Sequence, residues 1–323
     1  MRIVLVTPAG PKTRTGNRNT AVRWAGMLRE LGHKTTVSTA WDGKAADIMI
    51  ALHARRSHDS IRRFHETCPE RPLVVILTGT DLYRDIRHDA GAQESMRMAT
   101  LLATLQDQGP LELAPALRRK TRVLYQSAPP AAYAAAHRPS RRHFSVCVVG
   151  HLREEKDPFR CAYALPHLPA DSRIRVLHLG QAMDRAHARE AARLAKADAR
   201  YRWLGEVPHW RVRRVMQGSH LMVISSRMEG GANVVSEALA LGLPVLASKV
   251  PGNVGMLGKD YAGFFPCCDE KALAALLARA ETDEAFYRTL QKQCAARRKL
   301  VMPERERKTL AAMVKEAARL TRA

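Results

Sequence analysis

Residues 221–248 read LMVISSRMEGGANVVSEALALGLPVLAS. An apolar run closes at Ser225–Ser226, and a helical pattern begins near Asn233. Between them Glu229 and Glu237, eight apart, bracket Gly230 and Gly231. Apolar run, break and helical period read as strand, loop and helix. The glycines lack Cβ atoms, so a ligand can approach the backbone. The helix starting at Asn233 turns its unpaired N–H groups and positive dipole end toward that ligand. Phosphate oxygens or sugar hydroxyls suit such a place. Glu237, in the first turns, reaches a diol as a charged acceptor, each bond contributing roughly 1.5–3 kcal/mol. Glu229 lies beside whatever covers the glycines. Two carboxylates repel a bare phosphate, so the pair fits hydroxyls flanking a phosphate, as in a nucleotide sugar. A plain turn before an amphipathic helix with solvated glutamates explains Glu-x7-Glu as well.

The same alternation runs outward in both directions. Apolar runs at 2–8, 34–40, 47–53, 72–79 and 122–127 alternate with helical patterns. One such pattern spans 19–32, with Val22, Ala25, Leu28 and Leu31 on one face and Gly32 as its stop. The stretch 128–143, rich in Pro, Ala and charge, reads as a linker. The cycle restarts with runs at 144–150, 173–180, 201–205, 220–226, 244–250 and 261–266, followed by helix to the end. Strands alternating with helices give parallel sheets covered on both faces. The expected fold is therefore α/β, with two doubly wound, Rossmann-like domains at 1–140 and 141–302. A closing helix at 303–323 is expected to return to the first. Ligands of such sheets bind beyond the carboxyl ends of the strands.

Composition narrows the partners. The 323 residues are 46% hydrophobic and carry a formal net charge of +22. Lys and Arg number 6 to 10 in every full block of 50 residues, with no dense basic arm. This favours small anionic substrates over nucleic acid. No apolar run approaches the roughly 20 residues that span a bilayer, so neither a membrane partner nor a secretory leader is expected, and the cytoplasm is the expected location. The six cysteines form no CxxC pair or zinc-like spacing. Cys267 and Cys268 are adjacent, a placement that seldom bridges. No metal site and no cofactor are expected.

Each other strand end carries polar candidates. After 144–150 come Gly150, His151, Arg153 and Lys156, cations able to neutralise a diphosphate leaving group. A charged helix start explains them too. Glu206 and Val207 follow the run at 201–205. The first strand is followed by Lys12, Thr13, Arg14, Thr15, Gly16, Asn17 and Arg18, an unusually basic loop in which Thr15 or Asn17 can cap the helix. His53 ends one run, with Arg55, Arg56 and His58 beyond it, and Thr80 and Asp81 follow another. A structural histidine and a helix-capping aspartate are the plainer explanations there.

The stretch EGGANVVSEALALGLPVLAS resembles the donor-binding signature of the family 4 glycosyltransferases of GT-B fold, with Ala232 where that signature commonly has proline. VGHLREEKD is similar to the family's G-R-L-x-x-E-K-G, with His151 in place of arginine. The resemblance implies two domains facing across a cleft. It places a UDP-sugar at Gly16, Gly150, His151, Glu206, Val207, Gly230, Gly231, Ala232, Asn233, Val234 and Glu237, and catalysis at Lys156, Arg153 and Glu229. Within that family, the first 33 residues together with ALHARRSHDSI and LTGTDLYRDI resemble the selenosugar synthases, SenB, of selenoneine biosynthesis. That implies selenophosphate as acceptor, near Lys12, Thr13, Arg14, Thr15, Asn17, Arg18, His53, Thr80 and Asp81. The donor would be a UDP-hexose, preferably UDP-N-acetylglucosamine. A hydroxyl acceptor, a hydrolase or epimerase on the same scaffold, and a non-enzymatic nucleic-acid binder are the alternatives.

Overall fold

A computed structural model of the protein describes residues 1–11, 13, 15–130 and 139–321. The chain divides into two compact units. The first holds Met1–Gln126, Glu229–Ala232 and Pro303–Ala323; the second holds Ser127–Met228 and Asn233–Met302. The short segment Glu229–Ala232 thus belongs by its contacts to the first unit, although the chain on either side belongs to the second.

The first unit is built on six strands: β1 (Arg2–Val6), β2 (Lys34–Ser38), β3 (Ile48–Leu52), β4 (Leu73–Leu77), β5 (Leu101–Thr104) and β6 (Thr121–Val123). They pair in the order β2-β1-β3-β4-β5-β6, and every pairing is parallel. β3 and β4 are buried at every residue because helices cover both faces. Strand β5 has no counterpart among the sequence-expected strands. LLAT is only four residues long and follows a helix almost at once, so no period can separate it from that helix.

The first helix, Gly16–Glu30, starts three residues earlier than its pattern suggested. Its buried face is Thr20, Ala21, Trp24, Ala25 and Leu28, while Val22 and Leu31 are exposed. The expected apolar face was therefore out of phase. Trp24 sets the rotation, because it is fully buried and its Nε1 donates to Glu306 Oε1 at 2.7 Å. Glu306 begins the closing helix, Pro303–Leu320, and also accepts from Arg23 Nε and Nη2 at 3.0 Å each. Farther along, Arg122 donates to Glu316. Leu310, Met313, Val314 and Ala317 complete the core over β1 and β3.

The second unit has β7 (Phe144–Val149), β8 (Ile174–Leu179), β9 (Tyr201–Trp203), β10 (Leu221–Ile224), β11 (Val245–Ser248) and β12 (Phe264–Phe265). Their order is β12-β11-β10-β7-β8-β9, again all parallel. Successive strands move one way from β7 and then the other way from β10. The topological switch point, where such sheets hold ligands, therefore lies between β7 and β10. Among the described residues no helix is long and apolar enough to cross a membrane.

Candidate functional site

Two strand ends meet at the switch point of the second unit. Beyond β10, the helix Asn233–Leu241 begins at the residue its sequence marks. Glu237 lies in its second turn, with 17% of its side chain exposed. Its Oε1 is 3.2 Å from Nε2 of His209, the first residue of the helix His209–Gln217. That hydrogen bond raises the His209 pKa, against the opposing effect of partial burial. The carboxylate at the expected diol site thus holds a polar partner of its own. His209 was not among the sequence candidates. It is 28 residues away and exposed, and no spacing rule links a helix start to a carboxylate on another helix. Glu206 and Val207 occupy the turn before His209, where Gly205 takes φ +66.

Beyond β7, Gly150 leads into His151, Arg153 and Lys156. A Cβ on Gly180 would lie 1.9 Å from the Gly150 carbonyl oxygen, so Gly180 lets the ends of β7 and β8 approach closely. His151 Nδ1 accepts from the Gln181 backbone N–H at 3.2 Å, which ties its ring to that neighbouring loop. Arg153 is 45% exposed and approaches Glu155 at 4.0 Å, and Arg227 approaches Glu154 at 3.7 Å. Exposed pairs of this length contribute at most about 1 kcal/mol and exchange readily for an anionic ligand. Lys156 ends a 3-10 turn, Glu154–Lys156, rather than opening a helix. Asp157 follows at φ +43 and accepts from Arg160 Nε at 2.8 Å, and Arg160 Nη1 reaches Glu270 at 2.5 Å. Ser225 Oγ at the end of β10 donates to the Asp157 carbonyl at 2.8 Å. The Lys156 loop is therefore pinned to the neighbouring strand.

The first unit contains the remaining candidates. Lys12 and Arg14 lie outside the described residues. Thr13 Oγ1 donates to the Gly10 carbonyl at 2.8 Å. Thr15 occupies the N-cap position of the helix that Gly16 opens, yet its hydroxyl makes no capping bond and is buried without a partner among the described residues. Asn17 Nδ2 lies 3.5 Å from Thr78 Oγ1. Arg18 stands in the first turn of that helix and is partly exposed.

At the end of β4, Asp81 is fully buried. Its carboxylate accepts from the backbone N–H groups of Thr78 and Gly79 at 2.8 Å and of Ala54 at 3.0 Å, and from Thr78 Oγ1 at 3.3 Å. Asp81 is thus a positioning residue that ties the loop after β3 to the loop after β4. His53, at φ +77 and 2% exposed, accepts the Arg56 N–H on Nδ1 at 3.2 Å. Its Nε2 then carries the proton and faces Thr80 Oγ1 at 3.0 Å. Burial lowers the His53 pKa, with the neighbouring Asp81 opposing, which favours neutral imidazole. Arg55 Nε pairs with Asp85 at 2.8 Å.

The glycine pair packs closely against the chain itself. A Cβ on Gly230 would lie 2.0 Å from the Thr78 carbonyl oxygen, and one on Gly231 would lie 2.6 Å from Leu105 Cβ. The space freed by the missing side chains is filled by the chain itself, so close backbone packing is what requires glycine here. Ala232, where the resemblance has proline, is 7% exposed, and Val234 is partly buried. Glu229 is buried as well, and its charge adds to the burial that raises the Tyr83 pKa. Among the described residues no group of three His, Cys, Asp or Glu side chains has metal-holding geometry.

Residues 133–299 match the family described as "Glycosyl transferases group 1". TuaC of Bacillus subtilis, named as a teichuronic acid biosynthesis glycosyltransferase, is 33% identical over 97 residues, 28% of this chain and 25% of TuaC. The glycosyltransferase 1 domain-containing protein 1 of Xenopus tropicalis is 29% identical over 130 residues, 39% of this chain and 37% of that protein. The matched segments thus span about a quarter to just over a third of these curated relatives. HepE of Anabaena, crystallised with UDP and glucose, superposes over 98% of this chain and 100% of its own with a TM-score of 0.75 at 14% identity. The fold is GT-B. With the matching region covering more than half of its length, the chain belongs to the glycosyl transferases group 1 family.

Proposed function

We propose that the chain is a glycosyltransferase that joins selenophosphate to the anomeric carbon of a UDP-hexose, with UDP-N-acetylglucosamine preferred. The observation that carries the donor half is Glu237, a largely shielded carboxylate in the first turns of the helix beyond β10, at the switch point of the second sheet. There it accepts from the ribose hydroxyls, while the N–H groups at Asn233 and the cations Lys156 and Arg153 face the diphosphate. HepE, of the same fold, was crystallised with UDP and glucose, which supports a UDP-sugar donor.

For the acceptor, the support is the state of the polar groups in the first unit. Asp81 is saturated by backbone donors, and His53 accepts an amide on one ring nitrogen and bears its proton on the other. Neither is arranged to take a proton from a hydroxyl. Selenophosphate is already ionised and needs no such base. Its selenium attacks C1, the C1–O bond to the diphosphate breaks, and the electron pair leaves on UDP, where positive charge stabilises it. Water then cleaves the Se–P bond, releasing phosphate and a 1-selenosugar. A hydroxyl acceptor with the same donor half is the second reading.

The test is mass spectrometry of reactions containing UDP-N-acetylglucosamine with selenophosphate, or with sugar and lipid alcohols. A selenosugar formed only with selenophosphate is expected. Glycosylated alcohols without any selenosugar would overturn the acceptor assignment.

A further inference from the structure

We propose that Cys267 and Cys268 form a vicinal dithiol that low-molecular-weight disulfides oxidise reversibly to a ring disulfide, and that ring closure weakens nucleotide binding by the second unit. The second half of this proposal rests on the donor-site reading above; the first half does not.

Both cysteines are exposed, and their sulfurs are 3.6 Å apart. Cys147, Cys161 and Cys294 are buried, and Cys68 is partly buried. The pair sits directly beyond β12, on the carboxyl side of the sheet that also presents the loop after β7. Cys268 holds φ +66, a left-handed conformation that glycine adopts freely and that carries a cost for a residue with a Cβ. Among the described residues, the non-glycine positions with positive φ are His53, Asp157 and Cys268. Two of these three belong to this neighbourhood, because Asp157 is joined through Arg160 to Glu270, two residues after Cys268. Strained backbone retained at one place is a reason to look for a function there.

Ring closure has a mechanical path to the Lys156 loop. Asp269, next to Cys268, caps the helix Glu270–Thr282 by accepting from the Ala272 N–H at 2.8 Å. Glu270 is bound by Arg160, and Arg160 is bound by Asp157, the residue after Lys156. Moving the backbone at 267–268 therefore pulls on a chain of charged contacts that ends beside the proposed phosphate cation.

The chemistry balances as thiol–disulfide exchange. One cysteine sulfur attacks the small disulfide and expels one small thiol. The other then attacks the protein-bound sulfur and expels the second. The protein loses two electrons and two hydrogens, and the oxidant becomes two thiols. Adjacent Cα atoms are about 3.8 Å apart, below the roughly 4.4–6.8 Å of ordinary bridges, so the ring is strained and easily reduced. Although the residue is exposed, desolvation of its sulfur, with the neighbouring sulfur adding to it, raises the Cys267 thiol to about 11. The exchange accordingly accelerates as pH rises.

The experiment treats the full chain with glutathione disulfide, alkylates remaining thiols and maps peptides by mass. The peptide carrying 267–268 is expected to lose two hydrogens, escape alkylation and recover with dithiothreitol. Cys267→Ser and Cys268→Ser should instead each retain a glutathione adduct. A stable adduct on the wild-type pair, a link between two chains, or full alkylation of both thiols would overturn the ring. UDP titrations of the oxidised and reduced protein then test the coupling. Several-fold weaker binding after oxidation is expected, absent from the Cys267→Ser/Cys268→Ser double variant. Equal affinities would overturn the coupling. Failure of UDP to bind even the reduced form would overturn the donor site while leaving the ring to the peptide result.

Discussion

Asp81 in the first unit and Glu237 in the second are both carboxylates on segments that follow a strand of a parallel sheet. Asp81 is fully buried and takes four hydrogen bonds, three from backbone amides. Glu237 keeps 17% exposure and touches the side chain of a 62% exposed histidine. The first carboxylate holds two loops in shape. The second pairs with a single exposed side chain. Strand-end position alone does not say which groups a carboxylate holds; the identity of its donors does.

Truncation is the sharpest way to break this comparison. Asp81→Ala leaves three backbone N–H groups without their acceptor and should cost on the order of 3 kcal/mol of stability, roughly 1 for each. Urea unfolding measures it, and a change under about 0.5 kcal/mol would remove the organising role. Gly230→Ala drives a methyl into the Thr78 carbonyl and should cost about 1–3 kcal/mol by the same assay. Glu237→Ala should leave unfolding nearly unchanged and weaken UDP by about tenfold, or about 1.4 kcal/mol, in calorimetry. Loss of stability without loss of affinity would make Glu237 resemble Asp81.

The smallest expected effect is on pH dependence. The His209 pKa is raised from 6.5 in the folded chain. Its pairing with Glu237 is therefore fully present below pH 6.5 and is lost as pH rises through the raised value. If ribose displaces that imidazolium, UDP binding strengthens on raising pH through the same window. Arg213, whose charge opposes protonation of His209, narrows the effect. In His209→Gln the strengthening should shrink to what the nucleotide's own phosphate contributes. Identical pH profiles would show that His209 does not compete.

Much of the architecture is legible in the sequence because parallel strands covered on both faces appear as unbroken apolar runs, as in IMIAL and LVVIL. LLAT escapes because four residues carry no period. The phase of the first helix escapes because the bond from Trp24 to Glu306 joins positions 282 residues apart. At the site, the helix start at Asn233 is written in the residues before it. The partners of Asp81, His53 and His151 are mostly backbone groups, and backbone groups leave no mark in a sequence. For the same reason the close packing of Gly230 against the Thr78 carbonyl cannot be read from the sequence.

The proposed donor site stands or falls on whether Glu237 grips the ribose of a uridine diphosphate. Calorimetric titration of UDP and 2′,3′-dideoxy-UDP into the wild type and Glu237→Ala tests it as a double-mutant cycle. A marked penalty for removing the ribose hydroxyls is expected in the wild type, and little or none in the variant. The same penalty in both proteins would place the ribose elsewhere and contradict the donor site.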